Sequence, residues 1–312
     1  MQYSYHTADI FTDTPFGGNQ LAVLPNATGL NDAGMLAITR EFNFSETTFV
    51  FPAENSENTR RVRIFTPGGE IPFAGHPTVG TAFVLAQTGD IELTGPETRI
   101  VLEEGVGPVT VTISSDNGRP TFAQFTATKQ PERRRSPVKR SQLAEILSLR
   151  KKDILKNDVW YTEAVSVGLP FLFVPLTSVR ALGQARLRQE LWEELLKETW
   201  APDIYLFVEE DTSRERDGLR AGDGHTRSRM FGPIKGVVED PATGSAAAAF
   251  GGYLARRARV RDGTLKITIH QGVEMGRPSR LMVETDVVGG EVQETRVGGA
   301  SVLISSGTLY YP

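Results

Sequence analysis

The chain has 312 residues, 39% hydrophobic and 23% charged, with 31 glycines, the make-up of a globular protein rich in tight turns. A formal net charge of -4 offers no basic footprint for nucleic acid or an anionic membrane, and no run approaches the roughly 18 apolar residues of a membrane span. Cysteine is absent, which excludes disulfides, thiolate metal sites and cysteine nucleophiles. His6, His76, His225 and His270 lie far apart without ligand spacing, so no metal site is expected. The first residues, MQYSYHTADIF, lack the layout of a secretory signal, and a cytoplasmic location is expected.

In chain order, GGNQLAVLP (17–25) precedes a helical pattern, LNDAGMLAITREF, and then a strand, ETTFVFPAE. RIFTP (63–67) leads to HPTVGTA (76–82), which opens an apolar helix over 77–88, followed by the strands RIVLEE and VTVTI. TATKQPERRRSPVKRSQ (126–142) reads as a solvated linker, its Arg-rich part at 132–140 a weaker candidate for a phosphate or partner patch. It leads into a helix, SQLAEILSL, with Ser141 as its cap. The second half then runs GLPFLFVPL (168–176), RQELWEELLKETW, DIYLFVEED, RMFGP (229–233) and DPATGSA (240–246). That last segment opens a small-residue helix over 241–255, before KITIHQG, RLMVET and SVLISSGTLYY.

The halves match piece by piece in the same order, and the spacing between partners grows along the chain, as duplication followed by short insertions produces. HPTVGTA and DPATGSA share a polar residue, Pro, Gly, a hydroxyl residue and Ala. Pro at the first helical position after a polar residue is a helix-start signal, and such an end suits a carboxylate or an oxyanion. The pattern predicts an α+β protein of two pseudo-symmetric domains, each a strongly bent sheet wrapped around one apolar helix. A small anionic ligand held between the two lobes is the matching expectation.

Glu46, in FNFSETTFVF, sits between Phe44 and Phe49. In a water-poor site desolvation raises a carboxyl's pKa, which suits proton transfer near neutral pH; the competing reading is an exposed strand start. His76 follows Gly75 and reads either as a donor to a substrate oxygen or as a plain cap. Asp240 occupies the equivalent place and is also a preferred N-cap type. Gly244 and Ser245 supply a backbone amide and a hydroxyl in the same turn. The glycines of GGNQ and QGVEMGRPSR have neither dinucleotide nor P-loop spacing, so no nucleotide site is expected.

With PFGGNQLAV, REFNFSETTFV, RIFTPGGEIPFAGHPTVGTA, SRMFGP, VVEDPATGSAA and QGVEMGRPSR in this order over nearly the whole chain, the sequence resembles the PhzF family of phenazine biosynthesis. These isomerases, of antibiotic-type pathways, are built like diaminopimelate epimerase. The resemblance implies two similar domains, each a β-barrel-like sheet around a central helix. They span about 1–128, with 303–312 returning to it, and 129–302. It further implies an active site in the cleft between them for a small anionic amino-acid-like substrate, no cofactor, and a homodimer. Carried over, the catalytic glutamate falls on Glu46, the Gly-His pair on Gly75 and His76, the aspartate on Asp240 and the serine on Ser245, with Asn19 and Ser45 near substrate.

The sister epimerases use two opposed thiols; here the first thiol position is Ala74 and no cysteine exists, so that mechanism is excluded. Three readings remain: a one-base isomerase using Glu46 on trans-2,3-dihydro-3-hydroxyanthranilate, the same chemistry on another small metabolite, and a binding protein for an anionic metabolite. A carboxylate among apolar residues weighs against the last, because a pure anion binder gains nothing from it.

Overall fold

The computed structural model describes every residue except 128, 210–222, 234–236, 259 and 312. Thr128, where the first domain is expected to end, thus lies outside the described residues. The chain divides into two compact units, Met1–Thr126 with Gly298–Pro312, and Ala127–Val297. Among the described residues no helix is long and apolar enough to cross a membrane.

In the first unit, Gln2–Ile10 pairs antiparallel with both Ser301–Tyr310 and Asn19–Leu24, and Asn19–Leu24 runs parallel to Glu46–Phe51. Glu46–Phe51 pairs antiparallel with Arg60–Thr66, which pairs antiparallel with Gly69–Ile71 and parallel with Glu97–Glu104. Gly107–Asp116 and Arg119–Ala127 continue antiparallel. This mixed sheet wraps the helix Gly75–Thr88, which is buried on all sides from Gly75 to Ala86. Small residues permit that enclosure: a Cβ on Gly80 would fall 2.5 Å from Ile10 and 2.6 Å from Leu21 side-chain carbons. The helix Asp32–Phe42 packs outside the sheet through Met35 and Ile38 onto Leu24, Phe49 and Phe65.

The second unit repeats the sequence of pairings. Glu163–Ser166 is antiparallel to Pro170–Pro175, which is parallel to Asp203–Glu209, which is antiparallel to Asp223–Gly232. Asp223–Gly232 pairs antiparallel with the short Val237–Asp240 and parallel with Gly263–Gln271, itself antiparallel to Ser279–Val288. Antiparallel, parallel, antiparallel, short antiparallel, parallel, antiparallel is the order in both units, so the duplication expected from sequence is present in the topology. The helix Gly244–Arg257 fills the second unit, where Phe250 and Tyr253 pack on Phe173 and Phe207 with ring centroids 4.7–5.5 Å apart. The fold is the expected α+β arrangement, with a β-barrel-like sheet around a central helix in each unit.

Three local expectations need correction. The Arg-rich run is solvated but part of it is not a linker: Glu132–Arg135, exposed apart from half-buried Arg133, is a strand paired with Glu163–Ser166. Arg134 lies 4.2 Å over the Trp200 ring, and Arg133 donates to the Gly252 carbonyl at 3.0 Å. Guanidinium planes and aliphatic stems that find such partners make a charged run into structure. The following helix is Arg140–Ile146, two residues earlier than a Ser141 cap would start it, because Gln142 reaches back to the Lys139 amide at 3.0 Å and Lys139, not Ser141, is its cap. The two central helices also start elsewhere than the proline positions suggest. Pro77 is the third residue of its helix, where a missing N–H costs nothing, whereas Asp240 and Pro241 precede the second helix, which starts at Gly244 with Thr243 as cap.

Candidate active site

Asn19 opens its strand after a loop with Phe11, Phe16 and Gly18 at positive φ (66, 69 and 61°). Buried Asp9 accepts the Phe16 amide at 2.7 Å, and a Cβ on Gly18 would lie 2.3 Å from the Ile10 carbonyl oxygen, so glycine is required there. The helix Asp32–Phe42 ends on Asn43 in the left-handed conformation, and the half-buried Phe44 and Ser45 bring the chain to Glu46, first residue of its strand. Gly75 and His76 form the first helical turn after Ala74.

These three approaches bring Asn19, Glu46 and His76 together, with Ser45 and Gly75 as chain neighbours. All three are buried, at 1%, 8% and 3% exposure. Asn19 Nδ2 stands 3.2 Å from His76 Nδ1. An amide nitrogen can only donate, so Nδ1 accepts and the ring proton of neutral His76 resides on Nε2. That nitrogen is 3.4 Å from Glu46 Oε2. Glu46 is therefore no exposed strand start: it is a buried carboxyl facing an oriented imidazole, an arrangement able to take and return a proton.

Beneath this pair, Thr81 donates to Thr48 at 2.8 Å, tying the helix to the Glu46 strand. Thr78 Oγ1 lies 2.8 Å from the Ala74 carbonyl oxygen and 2.7 Å from Glu104 Oε1. Burial pushes the Glu104 carboxyl up to about 8. Glu104 is not singled out in the sequence, although the alternation Thr98, Ile100, Leu102, Glu104 on the inward side of the strand Glu97–Glu104 is its signal.

In the second unit, Asp240 ends its strand half-buried, and Thr243 Oγ1 donates to Asp240 Oδ2 at 2.6 Å. Gln271, fully buried, donates to the Asp240 carbonyl at 2.8 Å and to Thr243 Oγ1 at 3.0 Å. Neither Thr243 nor Gln271 is singled out by the sequence. Gly244 and Ser245 occupy the first turn of the central helix, both buried. Ahead of Asp240, Arg229 holds Glu239 through paired bonds of 2.7 and 2.8 Å and donates to the Leu182 and Ala185 carbonyls.

The sequence profile of the phenazine biosynthesis-like proteins, PhzC-PhzF, matches residues 8–307. The chain belongs to the PhzF family. It is 38% identical to an uncharacterized isomerase of Mesorhizobium japonicum, with 98% of each chain covered. It is 33% identical to the trans-2,3-dihydro-3-hydroxyanthranilate isomerase of Pseudomonas aeruginosa, with 99% of each covered. The crystal structure of a Bacillus anthracis PhzF-family phenazine biosynthesis protein superimposes with a TM-score of 0.85 at 24% identity, covering 100% of both chains. This PhzF-family protein is an isomerase.

Proposed function

We propose that the protein is a cofactor-independent isomerase that moves a proton within a small, anionic, cyclic amino acid, with Glu46 as the acid/base. The observation that carries this reading is the buried Glu46 carboxyl 3.4 Å from His76 Nε2, in a family of isomerases and in a chain with no thiol. The Glu46 carboxylate removes a proton from one carbon of the substrate and, as the acid, returns it to another carbon of the same molecule. Atoms and electrons balance within the substrate, so no redox partner or group carrier enters. His76 steadies the charge that develops as the proton leaves, and Asn19 holds its ring in the required tautomer. Asp240 and Ser245 are proposed substrate-binding residues.

The 33% identity to a trans-2,3-dihydro-3-hydroxyanthranilate isomerase makes that compound the first substrate to try. The higher identity to an isomerase of unassigned substrate supports a second reading, the same proton transfer on another small metabolite. Purified protein is incubated in deuterated water with trans-2,3-dihydro-3-hydroxyanthranilate and a panel of cyclic amino acids, and carbon-bound deuterium and product are followed by NMR. Uptake that survives chelator dialysis and disappears in Glu46→Gln is expected. An active Glu46→Gln enzyme sinks the acid/base assignment.

A further inference from the structure

One buried acid of the first unit lies outside that chemistry. Glu104 sits at the inward register of its strand, where its companions Ile100 and Leu102 are apolar, and only 8% of its surface is exposed. Its Oε1 meets Thr78 Oγ1 at 2.7 Å, while its Oε2 is buried without a hydrogen-bond partner among the described residues. An ionised carboxylate in that position would be a charge out of water with no cation beside it.

The charged groups on the surrounding elements are engaged elsewhere. On its own strand Glu103 accepts the Glu54 and Asn55 amides. On the neighbouring strand Arg60 donates to the Thr59 and Asp90 carbonyls, Arg61 pairs with Glu54, and Arg63 pairs with Asp32 and Glu70. On the central helix the titratable residue is His76, which faces Asn19 and Glu46.

The hydrogen count decides the protonation state. Thr78 has one hydroxyl proton but lies within bonding distance of two oxygens, the Ala74 carbonyl at 2.8 Å and Glu104 Oε1. A carboxylate would compete with the carbonyl for that proton. A carboxylic acid satisfies both contacts, donating to Thr78 while Thr78 donates to Ala74. Ala74 is the cap of the helix and makes no side-chain cap bond of its own; its carbonyl accepts the Thr78 amide at 3.2 Å as well as the Thr78 hydroxyl, so the chain from Glu104 adds a second hold on the turn beside the backbone bond. The register is stiff: the Val106 amide bonds the Pro72 carbonyl at 3.1 Å, joining the end of the Glu104 strand to the segment entering the helix.

We infer that Glu104 is a positioning residue for the reaction: as a neutral acid it acts through Thr78 on the Ala74 carbonyl and fixes the turn that carries Gly75 and His76, and loss of its proton loosens that turn. The inference rests on the reading of Glu46 and His76 as the acid–base pair. With the carboxyl raised to about 8, the change falls on the alkaline side of neutrality.

The test has one arm without substrate and one with it. In nitrogen-labelled protein, the His76 ring signals are followed from pH 6 to 10, a range placed on either side of the Glu104 midpoint. In wild type they should move with a midpoint near 8, a movement that is absent in Glu104→Gln, which keeps a neutral donor in place. In turnover, Glu104→Met should lower kcat about tenfold at neutral pH with KM little changed, as misplacement of a catalytic group does, and Glu104→Gln should recover it. Wild-type kcat should fall by about tenfold in all as pH rises through the midpoint and then level off, and Glu104→Gln should lack that fall. An alkaline limb unchanged in Glu104→Gln, or His76 signals moving alike in both proteins, overturns the inference. An active Glu46→Gln enzyme overturns the acid–base reading instead, and the substrate-free signals distinguish the two failures.

Discussion

Gly272 and Gly276 bracket the short helical turn Val273–Met275 with nearly the same backbone, φ of 75 and 72°. A Cβ added at Gly276 meets nothing within 4 Å, whereas one at Gly272 lies 2.4 Å from the Arg277 oxygen and 2.6 Å from the Pro241 oxygen. The pair therefore separates conformational strain from collision. Placing alanine in the left-handed region costs about 1–2 kcal/mol, and Gly276→Ala should lose that much. Gly272→Ala should lose the same amount plus about 1–3 kcal/mol for forcing two backbone carbonyls apart. In melting terms the gap is a few degrees, at roughly 2–4 °C per kcal/mol for a unit of this size. Trp160, Trp192 and Trp200 all belong to the second unit, so tryptophan fluorescence during urea unfolding reports that unit. Because Gln271 next door bonds Asp240 and Thr243, kcat/KM should fall in Gly272→Ala and hold in Gly276→Ala. Equal losses of stability in the two variants would refute the steric argument.

Further expectations concern charge. Arg229→Leu strands Glu239 half-buried and should destabilise the second unit by about 3–5 kcal/mol, with much of that recovered in Arg229→Leu/Glu239→Gln, read by the same fluorescence. Glu46→Gln should cut kcat by about two to four orders of magnitude with far-ultraviolet circular dichroism unchanged. Glu104 should also shape stability against pH. Its folded value is raised from 4.5 to about 8, so its contribution is full below 4.5 and is lost as pH rises through 8. That amounts to about 5 kcal/mol. Urea midpoints by circular dichroism at pH 5, near the foot of that window, and at pH 9, above it, should therefore differ less in Glu104→Gln than in wild type, and equal differences would count against a titrating Glu104.

Much of the architecture is legible in the sequence because duplication leaves order as well as resemblance: HPTVGTA and DPATGSA do open the two central helices' neighbourhoods, each followed by small residues that let strands come close. The starts themselves diverge for a local reason. One copy continues a loop into the helix at Gly75, while the other is still a strand at Asp240 and must turn before Thr243 caps the helix. Glu46 and His76 are legible as chemistry, but their meeting at 3.4 Å depends on a parallel pairing that no local pattern contains. Arg133 and Arg134 mislead because an exposed charged run looks like linker until its pairing with Glu163–Ser166 is known. Glu104 hides in plain alternation: its inward place is readable, its pairing with Thr78 is not.

The strand Ser301–Tyr310 lies along Gln2–Ile10, with Tyr3 opposite Leu309. On the ribosome, then, the unit encoded first is the one completed last. Every residue of Ala127–Val297 has been made before the closing strand of the other unit exists. Until then Gln2–Ile10 presents a bare edge, a template on which a neighbouring nascent chain could pair. The long-range closure also places a slow, entropy-limited step after Ala127–Val297 has been made rather than before it.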